Sequence, residues 1–224
     1  MRVFVLICVV MAPVLAAAEP APLMASRQPM FALGAAPTTQ STRASLFSGV
    51  GVGLMAPPPA TLSADGKKVA KQIRDLIAAA EAGPAGYDAV QHGARVKPGK
   101  PPTAMTLAQI DRWTRDTPGQ PHAIGRYQFI PKTLRWLTAR LNLPPETRFT
   151  AAVQDRLADL LLEDAGLEAV LRGEMSQRRF MRNLARTWAG FPLPNGQSYY
   201  EGFAGNMATM SWQRFKGQIG QILS

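Results

Sequence analysis

From Leu62 to Ser224 the apolar residues recur at three- and four-residue intervals, with hardly any strict alternation. That period belongs to helices that bury one face, so it commits this part of the chain to a mainly α fold of helices packed on helices. Val69, Ile73, Leu76, Ile77 and Ala80 make the first stripe. Thr106 with Gln109 forms a capping box ahead of Leu107, Ile110 and Trp113. Pro131 opens a helix that buries Leu134, Leu137 and Leu141, with Trp136 beside them, and that must stop before Pro144-Pro145. Thr150 starts a helix with Val153, Leu157, Leu160, Leu161 and Ala165 inward and Gly166 as its stop. A short helix over 167–171 follows. Ser176 then opens one that carries Phe180, Leu184 and Trp188, and the last stripe is Trp212, Phe215, Ile219 and Ile222. The polar stretch from Gly83 to about Thr106 is longer than an ordinary connection. It leaves room for a small hairpin within 84–106, which would make the fold α+β.

The first 61 residues have a different character. Arg2, the apolar run Val3–Leu15 and the small residues Ala16-Ala17-Ala18 read as a signal peptide over 1–18, cut after Ala18, so periplasmic or secreted action is expected. The run is short for a membrane span and no second hydrophobic segment follows, so no stable membrane insertion is expected after cleavage. Residues 19–61 are rich in Ala, Pro, Ser, Thr and Gly and read as a low-complexity leader or linker, the segment open to an envelope partner. Residues 62–224 are then the packed domain, large enough for a real core. The one cysteine, Cys8, lies in the signal, so the mature chain has no disulfide, thiolate nucleophile or cysteine metal site. A net charge of +10 suits an acidic polymer, cell wall or nucleic acid. There is no phosphate-binding glycine loop and no nucleic-acid module, and His92 and His122 match no zinc spacing. Neither a metal, a cofactor nor a nucleic-acid partner is expected.

Glu81 is the residue most suited to chemistry. It follows the apolar stripe of the first helix and precedes the stop Gly83-Pro84. Burial and the negative end of a helix dipole both disfavour a charged carboxylate, which is how a general acid is made. Gly125-Arg126-Tyr127-Gln128 forms a polar, aromatic turn between Pro121 and Pro131. It either presents its side chains to a ligand, or Arg126 pairs with a carboxylate and Tyr127 fills core. Gln154 shares the inward stripe of Leu157 and Leu161. As a buried amide it either ties its helix to the Gly125–Gln128 turn or faces a cleft. Asp155 is expected to face away. Tyr199-Tyr200 supplies a stacking surface for sugar rings or clamps the last helix.

Taken together, "LIAAAEAGPAGYDAV", "TLAQIDRW", "AIGRYQFIPKTLRWL", "FTAAVQDRLADLLLEDAG" and "LARTWAGFPLPNGQSYY" resemble the phage-lambda-type endolysins and their bacterial relatives, the lysozyme-like peptidoglycan lytic transglycosylases. The resemblance spans about 69–200. It implies a lysozyme-like fold with helices around a glycan cleft and peptidoglycan glycan strands as the partner, with no cofactor. It implies Glu81 as the catalytic residue, and Arg126, Tyr127, Gln128 and Gln154 as substrate-binding or cleft residues, to which the reading of the residues themselves adds Tyr87, Tyr199 and Tyr200. Gly125, Trp188 and Pro192 would give structural support. The chain departs from a well-known member of that family at Ala80, where that member has serine, and in the loop after Tyr87.

Overall fold

A computed structural model describes residues 62–202 and 206–224; the expectations for residues 1–61 lie outside the described residues. Among the described residues seven α-helices account for most of the regular structure: α1 Ala64–Glu81, α2 Leu107–Asp116, α3 Pro131–Arg140, α4 Ala151–Ala165, α5 Leu167–Leu171, α6 Gln177–Thr187 and α7 Trp212–Leu223. Their starts follow local chemistry. The side chains of Ser63, Thr106, Thr150, Ser176 and Ser211 each accept an N–H from the first turn of their helix. Thr106 and Gln109 complete the reciprocal capping box, and Pro131 opens α3 without a side-chain cap. Gly166 ends α4 in the left-handed conformation.

α1 packs against α4, α5 and α7, and α4 also contacts α3 and α6. Ile73, Ile77, Leu157, Leu160, Phe180, Leu184, Phe215 and Ile219 are fully buried in the shared core. The start of α1 is pinned from far along the chain, since the Ser63 N–H and hydroxyl both donate to Glu168 Oε1 of α5, at 2.8 and 3.0 Å. That carboxylate sits at the positive end of the α1 dipole.

The hairpin expected within 84–106 does not form. Two short 3-10 turns, Gly83–Asp88 and Pro102–Ala104, occupy the stretch, and the described residues contain isolated bridges but no sheet. The physical reason is that its backbone groups pair outward. The Gln91 N–H donates to Ala123 O. Val96 donates its N–H to Gln120 Oε1 and accepts from Trp113 Nε1 and Gln120 Nε2. Pro98, Pro101 and Pro102 supply no N–H for a ladder. The fold is therefore mainly α.

Candidate active site

Glu81 is the last residue of α1 and is partly buried. Its Oε1 accepts the backbone N–H of Gly190 at 2.9 Å. Gly190 is held in turn, its carbonyl accepting both the N–H of Thr209 (2.9 Å) and its hydroxyl (3.1 Å). A Cβ at Gly190 would stand 3.0 Å from Glu81 Oε1, 3.1 Å from Ala80 Cβ and 3.2 Å from Thr209 Oγ1. A side chain there would have to push the carboxylate aside by a few tenths of an ångström. Burial pushes the Glu81 carboxyl up to about 7, and the Gly190 N–H opposes it by favouring the charged form.

Glu81 opens on a cavity of about 1000 Å3, whose lining includes Gln128, Trp136, Trp188, Tyr200 and His92. Among the described residues, Glu81 is the only carboxylate in that lining. Trp136 presents itself with 49% of its surface exposed, its ring capped by the Arg140 guanidinium at 4.9 Å. α3 buries Leu134 and Leu137 on one side, and Trp136 stands off that stripe, toward the cavity.

Tyr127 and Gln128 of the Gly125–Gln128 turn also line the cavity, and the turn is held from several sides. Gly125 has φ 78° and Gln128 φ 46°, and the Gln128 side chain donates back to Gly125 O at 2.9 Å. A Cβ at Gly125 would lie 2.4 Å from Gln154 Oε1 and 2.9 Å from Phe149 Cε1. Gln154 has no exposed surface. Its Oε1 accepts the Arg126 N–H at 2.8 Å, and its Nε2 donates to Tyr87 O and Phe149 O, both at 3.0 Å. Of the two readings open for Gln154, the structure shows the tie between helix and turn and not a cleft position.

The other candidates divide. Gln128 and Tyr200 line the cavity. Tyr127 borders it but is buried, with its hydroxyl on Asp155 and its ring edge-on to Tyr87. Tyr87 and Arg126 stand outside the lining. The Tyr87 hydroxyl donates to Asp155 Oδ1 at 2.9 Å, and Arg126 pairs with Asp75 at 2.7 Å while lying 4.9 Å over the Tyr87 ring. Tyr199 is also outside the lining, packed edge-on against Tyr200 under the Arg186 guanidinium. Trp188 is buried and its Nε1 donates to Tyr127 O at 3.2 Å, while buried Pro192 bridges to Ser198. Asp155 does not face away. It accepts both tyrosine hydroxyls and meets Arg74 at 3.5 Å, and Arg74 also pairs with Asp159. This inward charge network holds the turn to α1 and α4 from beneath.

The sequence reading missed Gly190 and Thr209. Gly190 is 109 residues from the carboxylate it contacts, and no local pattern marks it. Trp136 had a signal, its position off the α3 stripe.

The fold and site define a class, a mainly α domain organised around one half-dry carboxyl group in an open cavity. The sequence model of the family described as Endolysin matches residues 73–221. The chain belongs to the endolysin family, and membership supports a peptidoglycan-acting enzyme. No curated protein and no solved structure matches the chain.

Proposed function

We propose that the chain is a peptidoglycan lytic transglycosylase with a lysozyme-like fold, acting on the β-1,4 bond between N-acetylmuramic acid and N-acetylglucosamine. One observation carries the reading: among the described residues the cavity holds a single carboxylate, and burial raises that carboxyl group to about 7, so that it can both give and take a proton near neutral pH. Hydrolysis with two carboxylates needs an acid plus a nucleophile or base across the bond. Asp88, the first carboxylate after Glu81 in sequence, is exposed, accepts the Thr103 N–H at 2.9 Å and is absent from the lining. A transglycosylase manages with one acid.

Glu81 gives its proton to the leaving oxygen as the bond from C1 of the muramoyl residue breaks. The resulting carboxylate takes the proton of the C6 hydroxyl of that same residue, and O6 closes on C1. The product ends in 1,6-anhydro-N-acetylmuramic acid, no water is consumed and Glu81 is again protonated. The attacking hydroxyl belongs to the substrate, so the step has the advantage of an intramolecular reaction. The Gly190 N–H holds the carboxylate in place for both transfers. Gln128, Trp136 and Tyr200 form the walls on which sugar rings lie. Trp136 offers an exposed face of the kind that packs on a ring's apolar side.

Mass spectrometry of digested peptidoglycan tests this. Anhydro-muropeptides that vanish with Glu81→Gln in a folded protein support it, and products with reducing ends alone overturn it in favour of a hydrolysing muramidase. No turnover by the wild-type chain would leave a glycan-binding protein. Residues 1–18 act as a cleaved signal in this reading, 19–61 as a leader, and the enzyme works in the periplasm or outside the cell. An exported chain that begins at Glu19 by N-terminal sequencing is the expected result.

A further inference from the structure

α6 buries Phe180, Met181, Leu184 and Ala185 and exposes Arg178, Arg179, Arg182 and Arg186. At 3.6 residues per turn these four side chains fall within an arc of about 100° and along about 12 Å of helix axis. Like charges four residues apart weaken a helix, and the one aromatic partner in the row is the Tyr199 ring beneath Arg186. Among the described residues no carboxylate pairs with any of the four. Elsewhere Arg74, Arg126, Arg140 and Arg172 are paired, whereas Arg95, Arg112, Arg148 and Arg214 form no ion pair with a described carboxylate; what sets the row apart is that four such residues share one helix face. The row also has a direction. Arg186, at its C-terminal end, lines the cavity that holds Glu81, while Arg182 and Arg178 carry the charge outward along the helix.

We propose that this arginine row binds the carboxylates of peptidoglycan stem peptides. The inference rests on the reading of the cavity as a glycan site. A strand lying there carries on each muramoyl residue an anionic peptide that must leave the cavity alongside it. An extended stem of four residues reaches about 13 Å, the length of the row. Guanidinium groups grip carboxylates through two parallel N–H donors, a geometry that lysine does not offer. An acidic membrane or a phosphate polymer would meet the same charges, but neither explains why the row runs into the cavity.

The full chain and its R178E/R182E variant are assayed at low salt on purified strands, with stems intact and after an amidase has removed them. The wild type is expected to cleave stem-bearing strands with a kcat/KM about tenfold higher. The variant loses that preference through KM, and about 0.15 M salt weakens it in the wild type by screening. R178Q/R182Q repeats the test without charge reversal should the first variant fail to fold. Equal efficiency of the wild type on both strands overturns the proposal, as does a variant that keeps the preference. So does a variant whose loss is confined to binding phosphatidylglycerol vesicles. Isothermal titration calorimetry in the Glu81→Gln background, on stem-bearing and stripped strands, reads binding without cleavage. Anhydro products absent from both strands count against the transglycosylase reading, while equal affinity for both counts against the stem reading.

Discussion

Glu81 ends an amphipathic helix, and the covering of its carboxyl group lifts it from the ordinary 4.5 to about 7. Between those values the folded state holds a proton that the unfolded chain releases, so stability falls as pH rises through this window. Above about 7 the folded protein carries a buried charge. Gln cannot ionise, so the Tm difference between Glu81→Gln and wild type should be at one extreme at about pH 4, below the window, and should shift in the variant's favour by about pH 8. Differential scanning calorimetry at the two pH values reads it. The acid role has the matching profile: kcat/KM should decline above about pH 7, as the donor loses its proton. Gly190→Ala drives a methyl into the space of Glu81 Oε1 and Thr209 Oγ1. A misplacement of about 1 Å costs about a hundredfold and the shift here is smaller, so kcat should drop by about tenfold while the circular dichroism spectrum stays native. An unchanged kcat would show that the Gly190 contact does not position the acid.

At the scale of elements, the link between α4 and the Gly125–Gln128 turn depends on one amide. Gln154→Leu keeps the volume and leaves the Arg126 N–H and two carbonyls without their partner. Each buried group left unpaired costs about 1–3 kcal/mol, so urea unfolding should show a loss of roughly 3–5 kcal/mol. The helices themselves were legible in the sequence because their periodicity and caps are local. The 167–171 helix and the Thr106–Gln109 box follow from residues at most a few positions apart. The hairpin expectation failed because it rested on length alone, whereas Val96 and Gln91 find their partners at Gln120 and Ala123. Asp155 was misread for a similar reason. Its neighbour Gln154 points inward, but the adjacent face is covered by Arg74, Tyr87 and Tyr127 from three other segments.

The described residues all belong to one compact unit, and none of their helices is long and apolar enough to cross a membrane. Leu62 is buried and Ser63 ties α1 to α5, so the packed domain needs the chain from about that point. A chain starting at Thr61 should keep its Tm within about 2 °C and its activity on isolated strands, and a large drop in Tm would place the domain boundary earlier. Periodicity, caps and turn residues determined the helices, their order and the place of Glu81 at the end of the first, because these depend on neighbours within a turn. The tertiary structure alone decided what surrounds that acid. Gly190, Thr209 and Trp136 come from distant parts of the chain, and the covering that raises a carboxyl group's proton affinity exists only once those parts have packed together.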